Sequence, residues 1–386
     1  MDTTRGVHIL EAEFFSDARV ELLRELDSLF NERPVSRELW AFLWLADLDK
    51  LKELVAKVRD DDARDQYIIL DALVRQGQMV KYWTQKSQQS SAASTPRSSS
   101  PAPAQSPKST PNSPNPRRLK RKLGEITRSS DEAEKCRERD SKKCIITGAG
   151  RPIEVAHIFP FSMRYAQSPE ASNDIYSPWR VLRRFWTEDK VDEWFRAIQP
   201  TTETVTNMLC LAPHVHKYHE KAYFALKPVE VSEDRTQLKL RLYWLPRVDT
   251  PSAMRVSAKP DVPAINDRRW VGERGAQAVD KVKLYNVDTD LRICSGDLIV
   301  IKTANADTHP LPDLALLQMQ WVLQAVTALA GGAEPLDQED NSDDESPDLA
   351  MDVYASEDET MSELSLSPHP PLGVLDTQLQ PTLITS

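Results

Sequence analysis

The chain has 386 residues, a formal net charge of −10, four cysteines and 28% charged residues. That length allows two average domains or one domain with long tails. Four cysteines in so long a chain are no disulfide framework and fit a reducing, intracellular setting, and no run reaches the roughly 20 apolar residues of a membrane span.

The charge is placed unevenly. Of the 59 acids, fourteen lie between Ala333 and Ser386, which holds no lysine or arginine. The remainder is slightly basic, which is compatible with nucleic acid without arguing for it. The opening "MDTTRGVHILEAEFF" has early acids and no apolar stretch of signal-peptide length. A soluble intracellular protein without a membrane partner is expected.

Residues 1–85 read as a helical module. "DARVELLRELDSLF", "RELWAFLWLADLDKLKELVAKV" and "DQYIILDALVRQGQMVKYW" space their apolar residues at close to the helical period. Such a module is a small bundle or a cap for a protein partner.

Residues 86–125 turn to Ser, Pro, Gln and Ala, a composition that buries too little apolar area to order itself, and a disordered linker is expected. Its end carries "RRLKRK", with Arg117, Arg118, Lys120, Arg121 and Lys122 as candidate nucleic-acid contacts. Nuclear import fits the same run, which favours the nucleus over the cytoplasm, and so does a plain solubilising charge run.

Residues 126–332 become globular again. Strands are expected at "KCIIT", "EVAHIFPF", "LKLRLYWL" and "GDLIVIKT", where β-branched and aromatic residues concentrate. Helices are expected at "TEDKVDEWFRAI", around "APHVHKYHEKAYFA", and at "LPDLALLQMQWVLQAVTALAGG", which ends in a glycine pair. Three glutamines interrupt that last apolar run. Residues 333–386 form an acidic tail expected to be disordered.

Four of the seven histidines, His157, His214, His216 and His219, fall between positions 157 and 219. On a helix, His216 shares a face with His219 three residues on and with Glu220 four residues on, and either pair can grip a divalent cation. Between them lies an insert, "YSPWRVLRRFWTEDKVDEWFRAI", mixing Trp179, Phe185, Trp186, Trp194 and Phe195 with Arg180, Arg183 and Arg184. It reads either as a stacking surface for nucleic acid or as an amphipathic insert whose aromatics are core. "RERDSKKC" adds positive charge nearby, for phosphate or for a solvated helix end.

"CIITGAGRPIEVAHIFPFS", followed by Asn207 in "NMLCL", then "HKYHE" and "YFALKP", resembles an HNH endonuclease of the "AHI" subgroup found in fungal-type proteins. The resemblance covers roughly residues 126–333. It implies an α+β fold: a ββα-metal finger within a larger mixed domain, beside the all-helical N-terminal module, the disordered linker and the tail.

It also implies roles. His157 would be the general base, Asn207 would orient it or assist the metal, and His216 and Glu220 would hold a divalent ion. Mg²⁺ or Mn²⁺ comes first, with Zn²⁺ or Ni²⁺ allowed by the imidazole. His219 stands where the family has a large aromatic and would be a packing residue.

The implied activity is metal-dependent hydrolysis of phosphodiester bonds in DNA, with RNA not distinguished. The other reading is a catalytically weak or inactive HNH-fold nuclear protein that binds DNA or acts as a scaffold. Ala156 motivates it, because many relatives place a metal ligand just before the base. Glu154, two residues back, substitutes only if the strand end bends. Without C-x-x-C pairs, Cys144 and Cys210 would be packed thiols rather than ligands of a structural zinc.

Overall fold

The computed structural model describes residues 16–60, 63–77, 79–84, 129–167, 177–245, 251–260 and 282–331. The Ser/Pro segment, the basic run Arg117–Lys122 and the acidic tail lie outside the described residues. The helices are α1 Asp17–Leu29, α2 Arg37–Leu45, α3 Leu48–Asp60, α4 Ala63–Gly77, α5 Met79–Thr84, α6 Ser130–Arg139, α7 Pro178–Phe185, α8 Glu188–Ala197, α9 Pro213–Glu220 and α10 Leu314–Leu329. The strands are β1 Val35–Ser36, β2 Glu154–His157, β3 Met208–Leu211, β4 Phe224–Val231, β5 Gln237–Trp244, β6 Ala253–Met254 and β7 Leu298–Lys302. The class is α+β.

The N-terminal helices do not stand apart from the rest. Every residue of α2 from Leu39 to Leu45 is buried, and a helix apolar on all sides belongs inside a core. Trp40 and Trp44 donate their indole N–H groups to the carbonyls of Ala258 and Val256, at 2.8 and 3.0 Å. β1 pairs antiparallel with β6, Val35 opposite Met254. One apolar cluster runs from Leu23 to Ala330, across the compositional break between the helical module and the C-terminal region.

At its centre lies α10, packed on α2 and on β4. Its glutamines are not all surface residues. Gln320 Oε1 accepts from the Leu226 N–H at 3.2 Å, and Gln324 Nε2 donates to the His219 carbonyl at 2.8 Å. These bonds let two polar side chains sit in an apolar helix and tie it to β4 and α9. Asp313 caps the helix through the Leu316 N–H.

β2 and β3 form a two-stranded antiparallel ribbon, and β4, β5 and β7 form an antiparallel sheet in that order. "LKLRLYWL" and "GDLIVIKT" supply β5 and β7, as the alternation predicts. Elsewhere the elements are shorter than expected. "KCIIT" is a turn: the Ile145 N–H goes to the Cys210 carbonyl and the Gly148 N–H to Cys144, with Gly148 at φ 72°. The run 154–161 is a strand only to His157, because Ile158 and Phe159 are pinned to Asn207 instead of to a partner strand. The helix around 212–225 stops at Glu220, where Ala222 takes a left-handed φ of 55° and turns the chain into β4. The pattern over 37–58 breaks into α2 and α3 at Ala46, whose ψ of 151° is extended. Asp47 then ties the break to the insert, its carboxylate accepting from the Thr187 N–H and from Lys190.

Candidate active site

β2, β3 and α9 follow one another as a ββα unit. Register pairs Glu154 with Leu211, Val155 with Cys210, Ala156 with Leu209 and His157 with Met208. The four-residue ribbon places His157 at its end. Pro213 opens α9 at the first turn, where its missing N–H costs nothing, and that start puts His216 and Glu220 one turn apart.

His157, His216, His219 and Glu220 all line one small cavity. His157 Nε2 lies 2.8 Å from Glu203 Oε1, with 8% and 6% of the two side chains exposed. An ionised Glu203 only accepts, so the proton of the neutral imidazole sits on Nε2 and the Nδ1 lone pair is left as the basic site. The second oxygen of Glu203 accepts from the Ser129 N–H at 3.0 Å, at the cap of α6. Glu203 carries no motif in the sequence; it lies in the loop before β3, and only the fold brings it to His157.

His216 is gripped on both ring nitrogens. Nδ1 is 2.6 Å from Glu154 Oε2, and Nε2 is 3.4 Å from Glu220 Oε1. Glu154 therefore reaches the site, but on the far side of the imidazole from Glu220. It fixes the Nδ1–H tautomer and leaves Nε2 as a donor atom. Burial alone raises the Glu220 carboxyl; the charges of His216 and Lys217, with a hydrogen bond from Lys217, outweigh it and hold that group below the usual carboxylate range. The His216 Nε2 and Glu220 Oε1 atoms stand at a separation two donors take when each is about 2.1 Å from a shared cation. One imidazole and one carboxylate are a mixed donor set that could hold a divalent cation.

Asn207 is 1% exposed and serves the main chain. Its Oδ1 accepts from the Phe159 N–H at 2.7 Å, and its Nδ2 donates to the carbonyls of Phe159 and Thr202 at 3.2 and 2.9 Å. It thereby fixes the chain just past His157 against the loop that carries Glu203. Ala156 is fully buried and offers no donor.

His219 is buried beside Phe224, as a packing residue would be, yet its Nε2 has no partner among the described residues. Burial pushes its imidazole down to about 4; the charge of His216 acts the same way, and Glu220 opposes it.

The insert's aromatics are core: Trp179, Phe185, Trp186 and Trp194 are fully buried, and Phe195 is partly so. No stacking surface is left among these four. In "RERDSKKC", Arg139 is not a surface charge. It is buried, paired with Asp140 at 2.8 Å, and donates to the carbonyls of Val205 and Met208 ahead of β3.

Cys144 and Cys210 are buried free thiols, and Cys210 has a cysteine neighbour that is distant in sequence. Its sulfur is 3.7 Å from that of Cys136 on α6. Cys136, Asp140 and Cys210 stand close enough to share a cation. Asp140 is already held by Arg139 and by the Cys210 N–H, and Arg139 Nη2 lies 3.4 Å from the Cys136 sulfur. A buried guanidinium in that place repels a second cation, so this cluster fits a structural tie better than a metal centre.

Residues 144–227 match the family model described as HNH endonuclease. No curated protein and no solved structure matches the chain. No helix among the described residues is long and apolar enough to cross a membrane.

Proposed function

We propose, from the premise that this chain carries a domain of the HNH endonuclease family, that it hydrolyses phosphodiester bonds in DNA with a divalent cation. The observation that carries this reading is the convergence of His157, His216 and Glu220 on one cavity.

His157 Nδ1 takes the proton of the attacking water, while Glu203 holds the ring and offsets the charge of the imidazolium that forms. His216 Nε2 and Glu220 Oε1 would hold Mg²⁺ or Mn²⁺, with Zn²⁺ or Ni²⁺ as softer alternatives, and Glu154 would orient His216. The cation's contribution, when bound, is to stabilise the charge that develops on the phosphate and on the leaving oxygen. Among the described residues, the cavity lining holds no lysine or arginine.

A second reading, an HNH-fold DNA-binding or scaffold protein of little activity, is favoured by Ala156, which leaves the cation fewer protein donors. Nicking of a supercoiled plasmid in Mg²⁺, Mn²⁺ and Ni²⁺, by the wild type and by His157→Ala, separates the two. Equal residual nicking by both proteins would sink the catalytic reading. The run Arg117–Lys122 supports a nuclear address and phosphate contacts. A fluorescent fusion that stays nuclear without that run would dismiss the address.

A further inference from the structure

Burial of the insert's aromatics leaves α7 with a solvent face of arginine alone. Its three residues that are not buried are Arg180, Arg183 and Arg184. Arg180 and Arg184 are exposed one turn apart, and neither guanidinium has a partner among the described residues. Arg183 pairs with Asp192 on α8. Like charges four residues apart on a helix repel, and α7 holds no acid of its own to offset them.

The three arginines line an open recess of about 620 Å³ where α7 packs on α4. Lys50 of α3 adds a fourth cation, and Glu188 is the one acid among the described lining residues. Ile68 and Ile69 of α4, each about half exposed, form an apolar patch in the same lining. The buried side of α7 is tied to the chain that carries the base. Trp179 stacks on Phe159 at 6.4 Å, two residues past His157, and donates its indole N–H to the Ala166 carbonyl at 2.8 Å.

Four cations around one recess call for an anion. A guanidinium is planar and always charged, and it matches two oxygens of one phosphate at once, so arginines on a fixed helix suit a phosphodiester backbone. The sugars between successive phosphates can pack on the two isoleucines. The cavity at His157 holds no lysine or arginine among the described residues, so the attraction that brings a polyanion to it comes from the cation and from charge elsewhere on the surface. We infer that the arginine face of α7, with Lys50, binds the phosphate backbone of DNA. The inference rests on the choice of DNA as substrate above and adds contacts away from the reacting phosphate.

The test is fluorescence anisotropy of a labelled duplex with the full chain in EDTA, over a series of salt concentrations, so that binding is read without cleavage. Arg180→Ala with Arg184→Ala is expected to weaken binding about ten-fold and to lower the slope of log affinity against log salt by about 1.8, since each phosphate contact contributes about 0.9. Arg180→Lys with Arg184→Lys keeps the charge and is expected to keep the slope. The run Arg117–Lys122 is common to all these proteins, so the differences read α7 alone. Melting curves check that the variants fold, and His157→Ala is expected to bind as the wild type does. Unchanged affinity and slope in the double alanine variant would overturn the inference and turn the search to an acidic protein partner; nicking that His157→Ala abolishes would then leave the hydrolase reading standing. Binding lost in that variant, with no nicking by the wild type in Mg²⁺, Mn²⁺ or Ni²⁺, would keep the inference and overturn the hydrolase reading. No binding of DNA by the wild type would overturn both.

Discussion

Glu203 holds His157 through a 2.8 Å hydrogen bond in which almost none of either side chain meets solvent. A carboxylate so placed fixes the imidazole's tautomer and the orientation of its ring. Glu203→Gln keeps the shape but removes the charge, and its amide can turn to donate to the ring. The expected loss in nicking rate is about 10²-fold or more. Against a His157→Ala background the same substitution should cost nothing further, because two residues acting as one unit are not additive. Single-turnover kinetics on the four proteins of that cycle decide it; an undiminished Glu203 effect without His157 would make Glu203 merely structural.

Glu154 is expected to act on the metal through His216. Glu154→Gln should weaken Mn²⁺ binding by about 10–100-fold, the usual effect of removing a carboxylate behind a ligating histidine. At saturating Mn²⁺ the rate should return towards that of the wild type, since His157 is untouched. Isothermal titration measures the first effect and nicking kinetics the second. An unchanged affinity would reduce Glu154 to a surface carboxylate.

These two carboxylates show where the sequence was legible and where it was not. His157, His216 and Glu220 stand out because a strand end and one helical turn place them by local rules, and the fold does bring them to one cavity. Glu203 is joined to its histidine across 46 residues by the path of a loop, which no periodicity encodes. The sequence allows Glu154 to stand in for a missing ligand only if the strand end bends; in the fold it meets His216 of the partner helix. The buried aromatic insert followed its amphipathic pattern. The turn at "KCIIT" did not follow its β-branched composition, because the Ile145 N–H is spent on the end of β3. Trp83, Thr84 and Gln324 carried no motif, and only tertiary packing brings them to the cavity.

Asn207→Ala tests whether the middle residue of the motif works through the backbone. It would orphan the buried Phe159 N–H and take the Nδ2 donor from the carbonyls of Phe159 and Thr202. Orphaning the N–H costs about 1–3 kcal/mol and each lost bond to a carbonyl about 0.5–1.5 kcal/mol, so a total loss of roughly 2–6 kcal/mol is expected. Urea unfolding checks this. The folded fraction should keep its Mn²⁺ affinity; a large loss of affinity at unchanged stability would instead place Asn207 on the metal.

His219 is expected to make the fold acid-sensitive. Its imidazole is held down to about 4 in the folded chain, against 6.5 as the ordinary value. Between those values the unfolded chain binds a proton that the folded chain does not. Stability from this group is therefore complete above about pH 6.5 and is lost progressively as pH falls towards about 4. The shift corresponds to about 3 kcal/mol. Urea midpoints measured in EDTA at neutral pH and near the lower limit should fall further for the wild type than for His219→Phe, which keeps the ring volume and cannot titrate. Parallel slopes for the two proteins would mean that His219 takes up its proton without leaving the folded state.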